Sequence, residues 1–267
     1  MQQKTTTHIP ASAGGPCRDC GREHSLAAGA ALSHGWELMQ LLATEQRLDL
    51  LTAAAEADPR LSTASLFGPD RGKMFGVMPC RSRDGQERVL RAFSGQYNGL
   101  WEVAGWAPPI FNVPAFTTLY ADLEPQIKQI GRQMQVTDPQ SAPGRKLLQQ
   151  RRQLSRQWMQ EIHRLYMLSN FRGQQRLLSA VFAGNGGIPT GTGDCCAPKL
   201  FNQAAREQLI PLGLAEFYWG RENASQTRHH GRFYPCCAGK CAPILGFMLC
   251  GLDELLTHPD NTPWPPT

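Results

Sequence analysis

A transmembrane helix is not expected in this chain, because its 267 residues include no run of eighteen apolar ones. Nor is a secretory leader expected, since the opening MQQKTTTHIPASAGG is polar and lacks the apolar stretch such a leader needs. Both absences point to a cytoplasmic, reducing setting with no membrane partner. A dominant charge is missing too: the formal net charge of +5 is mild and names no partner by itself. Its distribution is more informative. Between Thr117 and Ala183 ten basic residues (Lys128, Arg132, Arg145, Lys146, Arg151, Arg152, Arg156, Arg164, Arg172 and Arg176) face four acids, a net +6, and the remainder is near neutral.

What the chain does have is cysteine. Nine are present, an odd number for a disulfide framework, and in a reducing compartment clustered cysteines are more often metal ligands or buried thiols. Two clusters stand in the last third. GTGDCCAPKL places Cys195 and Cys196 after a glycine-rich turn, with Asp194 or Cys195 as the cap of a short helix and Pro198 in its first turn. FYPCCAGKC places Cys236, Cys237 and Cys241 before a final helix, Pro243 to Leu256. Helix N-termini favour thiolates, and zinc takes four tetrahedral ligands, so Cys195, Cys237 and Cys241 are expected to share one zinc. Three protein ligands leave a fourth position open. Cys196, Cys236 and Cys250 are expected in the core or behind the ligands, because adjacent residues seldom both reach one ion. A weaker second site is offered by CRDCGREH, with Cys17, Cys20 and His24; its fourth ligand would have to be recruited from His34 or Cys80. His229 and His230 lie in a polar stretch and are expected to be solvated.

Periodicity sets the frame for these sites. Ser25 to Ala57 reads as a helix, with Leu32, Trp36, Met39 and Leu42 at helical spacing and Asp58-Pro59 as its stop. Lys73–Arg81 and Glu87–Ser94 are β-rich runs joined by SRDGQ, whose Asp84-Gly85 signals a hairpin. An aromatic loop follows, then helices over Leu119–Gln135 and Arg145–Phe182 separated by TDPQSAPG. PLGLAEFYWG reads as a strand. The expected organisation is a flexible 1–24 with the possible metal knuckle, a helix-and-hairpin half-core over 25–116, a basic helical insertion over 117–183, a cysteine-rich half-core over 184–257 and a tail over 258–267. The class is α/β in the broad, α+β sense: a mixed sheet in which the hairpin lies beside the 211–219 strand, helices after Cys195 and Cys241 pack on one face, and the arm projects.

That element order is also the order of zinc nucleobase deaminases, whose signature is H-x-E followed by P-C-x-x-C. The correspondence is partial. Pro235-Cys236 is present but the cysteine spacing is longer, and two residues after Cys195, where the proton-carrying glutamate belongs, stands Ala197. Only Asp194 or Glu216 is available to replace it.

KMFGVMPCRSRDGQERVLRAFSG, GTGDCCAPKL, PLGLAEFYWG and RHHGRFYPCCAGKCAPILGFML, in that order around the helical arm, resemble the N-terminal extension of a subset of bacterial RluA-type pseudouridine synthases. The resemblance runs from about Lys73 to Leu256 and implies a place in RNA modification. It does not extend to the catalytic domain of those enzymes, whose His-Arg-Leu-Asp stretch is matched only by His163-Arg164-Leu165 followed by Tyr166, better explained as helix surface. The expectation is a zinc-stabilised, non-catalytic RNA-binding or accessory module. Its RNA, ribosomal or transfer, would be held by Arg145, Lys146, Arg151, Arg152, Arg156 and Arg164, with Trp101, Trp106 or Trp219 stacking on bases. A zinc hydrolase of deaminase type, or a subunit that docks a separately encoded pseudouridine synthase domain, are the alternatives.

Overall fold

A computed structural model describes residues 13–257; the first part of the 1–24 segment and the 258–267 tail lie outside the described residues. In chain order the strands and helices are β1 (Ala13–Pro16), β2 (Glu23–Leu26), α1 (Ala31–Glu45), β3 (Lys73–Arg81), β4 (Glu87–Phe93), α2 (Val113–Gln135), α3 (Ala142–Arg164), β5 (Met167–Ser169), β6 (Gln175–Leu177), α4 (Leu178–Val181), α5 (Cys196–Arg206), β7 (Ile210–Pro211), β8 (Ala215–Trp219), β9 (Arg232–Tyr234), α6 (Ala242–Leu249) and α7 (Leu252–Thr257).

The α+β class holds. A central sheet runs β4-β3-β8-β9, with β7 also on β3, so the hairpin and the 211–219 region share one sheet as expected. Its pairings are all antiparallel rather than mixed. The β3–β4 pairing follows from a connection that doubles straight back, at a turn where Gly85 takes φ +84° and its N–H reaches the Ser82 carbonyl at 3.0 Å.

Strand alternation gives the sheet two buried faces. Phe75, Val77, Phe93, Phe217 and Trp219 pack with Leu38, Met39 and Leu42 of α1. Met78, Cys80, Leu90 and Ala92 pack with Leu200, Phe201 and Ala204 of α5. The helix after Cys195 therefore lies on the sheet, whereas α6, after Cys241, packs on α5 and on the β1–β2 hairpin. A Cβ at Gly246 would collide with the backbone carbonyl of Pro16, and one at Gly15 with that of Ala242, so both glycines are needed for β1 and α6 to meet backbone to backbone.

Several boundaries move. Residues 13–26 form a two-stranded hairpin rather than a flexible lead-in, with Ala13 opposite Leu26. The first helix ends at Glu45 with Gln46 in a left-handed cap, and short 3-10 turns fill 54–67. The long helix read to Phe182 stops at Arg164, and β5 and β6 form a small hairpin after it. The last helix is broken after Leu249, where Cys250 and Gly251 (φ +96°) separate α6 from α7.

The arm consists of α2 and α3, each 23 residues and so about 35 Å long. No residue of α2 is fully buried, and only Gly144 and His163 of α3 are. Leu123, Ile127, Ile130 and Met134 of α2 recur at alternating four- and three-residue steps, Leu147, Leu154, Trp158 and Ile162 of α3 recur at steps of seven and four, and both stripes are half-buried. The two helices thus pack mainly on each other, and the arm stands away from the core.

Candidate metal centre

The glycine-rich turn before α5 ends at Cys195, which takes the N-cap position with extended backbone, and the 237–241 turn brings Cys241 to the N-cap of α6. Because α5 and α6 pack side by side, the Sγ atoms of Cys195, Cys237 and Cys241 all lie within 4.8 Å of one another, a group able to hold a metal ion. The Sγ atoms of Cys237 and Cys241 are 3.5 Å apart. Hydrogen bonds from the Cys195 and Cys241 thiols, with the Cys241 and Lys240 N–H groups, outweigh burial and bring the Cys237 thiol down to about 2. The same bonds hold the donors up: Cys195 is pushed to about 12, chiefly through Cys237, and Cys241 is raised through Cys195 and Cys237. The three sulfurs converge beside the backbone N–H groups of the 237–241 turn, an arrangement that suits thiolates bound to a cation.

Cys196, as expected, is core; its thiol points to the Met74 carbonyl at 3.4 Å. Cys236 stands behind the ligands, donating to Glu216. Glu216 reaches from β8 to accept the Ala197 N–H at 2.9 Å, so a carboxylate from a neighbouring strand arrives beside the position that Ala197 leaves without one. Burial raises it to about 7 against the pull of that N–H and the Cys236 thiol. The cleft at Glu216 and Cys236 measures about 10 Å³, room for one water. Asp194 is engaged elsewhere, accepting the Tyr166 hydroxyl at 2.5 Å.

The second group is more complete than its sequence suggested. Cys17, Cys20 and His24 are joined by Cys250, and the four donor atoms lie within 4.8 Å of one another. Neither expected recruit is near: His34 pairs with Glu37 at 2.9 Å, and Cys80 is a buried strand residue whose thiol points to the Met78 carbonyl. Cys250, expected as core, is buried because it faces this hairpin at the break between α6 and α7. The signal available in the sequence was that break, Cys250-Gly251, but nothing there showed which way its thiol points.

Other expectations are corrected. Trp106 and Trp219 are 6% and 7% exposed, so neither can stack on a base; Trp106 donates to the Leu48 carbonyl at 2.7 Å. Trp101 is half-buried against Phe111 and Phe116. His163 is buried rather than on the helix surface, and its burial lowers its pKa. His229 is half-buried and bonded to Glu222, whereas His230 is exposed, as expected, with its ring centroid 4.2 Å from that of Trp219 and its Nδ1 accepting the Gly220 N–H. Of the basic residues, Arg145, Arg152 and Arg156 line one shallow groove of α3; Arg151 lines another with Lys128 and Arg132. Lys146 is exposed, and Arg164 is paired with Glu161.

No helix among the described residues is long and apolar enough to cross a membrane. The chain matches no protein-family model, no curated protein and no solved structure.

Proposed function

We propose that the chain is a zinc-stabilised, non-catalytic RNA-binding module that serves RNA pseudouridylation, with zinc held by Cys195, Cys237 and Cys241. The observation that carries the RNA reading is the arm. It is a projecting helical pair that buries little of itself in the core, and Arg145, Arg152 and Arg156, spaced by seven and four residues, present their guanidinium groups along one groove. Such a row suits the phosphates of a nucleic-acid backbone, and the resemblance of the flanking motifs to extensions of pseudouridine synthases supports the link to RNA modification and to a separately encoded synthase domain as partner. Zinc is favoured over other cations by the all-thiolate donor set.

The test is binding to single-stranded RNA across a salt series. Each phosphate contact contributes a slope of about −0.7 in log affinity against log salt, so replacing Arg145, Arg152 and Arg156 together by Gln is expected to flatten the slope by about 2. The counterpart Lys128, Arg132 and Arg151 variant should weaken binding less. An unchanged slope in the first variant, with its helicity and zinc content intact, rejects the arm as the RNA surface.

A second reading, a zinc hydrolase of deaminase type, is favoured by Glu216, a buried carboxyl beside the Ala197 N–H. Against it stands the 10 Å³ cleft at that carboxyl, since small-molecule sites usually enclose about 300–1,000 Å³. Cytidine, adenosine and their single-stranded polymers are therefore expected to release no ammonia. Zinc-dependent release that Glu216→Gln abolishes would make the chain an enzyme.

A further inference from the structure

We infer that Cys17, Cys20, His24 and Cys250 form a second, closed zinc centre, structural in role, that clasps the β1–β2 hairpin to the corner between α6 and α7. The inference stands independently of RNA binding and of the Cys195 cluster.

The donors are of the right kind and number: three thiols and one imidazole complete a tetrahedron without water. Their spacing suits it as well. A zinc with bonds near 2.3 Å to sulfur and 2.0–2.1 Å to nitrogen sets its ligand atoms about 3.5–3.8 Å apart. Here Cys20 Sγ and His24 Nε2 are 3.1 Å apart, and all four donors fall within 4.8 Å. Small rotamer changes close that difference. Cys17, His24 and Cys250 are each at most 4% exposed, so an ion there would be shielded from exchange with solvent.

The surroundings are arranged for a cation. The hairpin turn closes through the Cys17 N–H to the Arg22 carbonyl at 2.8 Å and the Gly21 N–H to the Cys17 carbonyl at 2.9 Å. It turns N–H groups of Asp19 and Cys20 toward the Cys17 sulfur, and that of Arg22 toward the Cys20 sulfur. Such donors stabilise thiolates. The histidine is oriented from behind: with Nε2 toward Cys20, its buried Nδ1 has no hydrogen bond of normal length, and its nearest acidic partner is Asp253 Oδ2 at 3.5 Å. A metal-bound imidazole normally gives its other N–H to a carboxylate. Metal at Nε2 would place the ring proton on Nδ1, which removes the orphan. Outside this shell Glu254 pairs with both Arg22 and Arg172, tying α7 to the hairpin a second time. As the ion binds, the three thiols release their protons to solvent and no electron changes hands.

Metal content of the full chain, purified in reductant, tests this. Two zinc ions per chain are expected for the wild type, one for Cys250→Ser, one for Cys237→Ala and none for the double variant, so failure at either centre is read separately. Should Cys250→Ser not fold, Asp253→Asn keeps the question open to measurement: it is expected to retain both ions and to release one of them to a chelator about 10- to 100-fold faster. Two ions retained in Cys250→Ser would overturn the inference, as would unchanged release kinetics in Asp253→Asn. So would an intact mass showing Cys17 disulfide-bonded to Cys20 or Cys250 in place of the metal.

Discussion

Lys199 shows how far a single side chain can depart from its usual place. It sits in the first turns of α5, is 1% exposed, and spends its ammonium on the carbonyls of Phe93 at 3.0 Å and Gly95 at 2.7 Å, with the Phe93 ring 4.8 Å away. It thereby ties α5 to the end of β4. Desolvation lowers its pKa to about 8. Lys199→Met should remove the donor from both carbonyls and cost about 2–4 kcal/mol in a denaturant titration at pH 7. The sign with pH follows from the depressed value. Between about 8 and the unfolded 10.5 the unfolded chain binds more protons, so this group adds stability as pH rises, and the gap between wild type and variant should widen over that window. Legibility at this scale divides by range. Cys195, Cys237 and Cys241 could be picked from sequence because each stands at a helix mouth, a local signal. Cys250 could not, and Glu216 could be named only as one of two candidates with Asp194, because their positions arise from segments brought together by tertiary packing. The lysine in CAPKL carries no mark that distinguishes it from a surface one.

Among the elements, the arm depends most on one small residue. At its tip α3 starts from Ser141, whose hydroxyl accepts the Gly144 N–H at 3.1 Å, and the chain folds back so tightly that a Cβ at Gly144 would lie 2.9 Å from the Pro139 Cα and closer still to the Asp138 carbonyl. Gly144→Val should force the tip open. The expected result is a loss of helical circular dichroism and of RNA affinity, with zinc content unchanged, because neither ligand set lies on α2 or α3. The break TDPQSAPG announced this turn, and Asp84-Gly85 announced the β3–β4 hairpin, so the elements with strong turn chemistry were readable. The β5–β6 hairpin was not read, though its chemistry is present: Asn170 Oδ1 accepts the N–H groups of Arg172 and Gln174, and Gly173 takes φ +71°. The apolar spacing through Leu165 continues past Arg164 and masked that turn. Likewise Cys250-Gly251 interrupts a run whose hydrophobicity is otherwise continuous.

For the whole molecule, the unexpected feature is that both faces of the sheet are covered, α1 on one and α5 on the other, with the β1–β2 hairpin locked against α6 at Gly15 and Gly246. Sequence periodicity located α1 and its apolar stripe but could not say which face it fills, since amphipathic patterning shows that a helix has a buried side and not what lies against it. The hairpin escaped notice because four-residue strands fall below any periodic signal. Its position has a mechanical meaning. Cys17 and Cys250 enclose nearly the whole described chain, so the sheet, the arm and the Cys195 cluster all lie within the loop they close. With the proposed ion in place, tension applied between these two segments would pass from the hairpin directly to the α6–α7 corner, and the strands in between would carry no load until that link gave way.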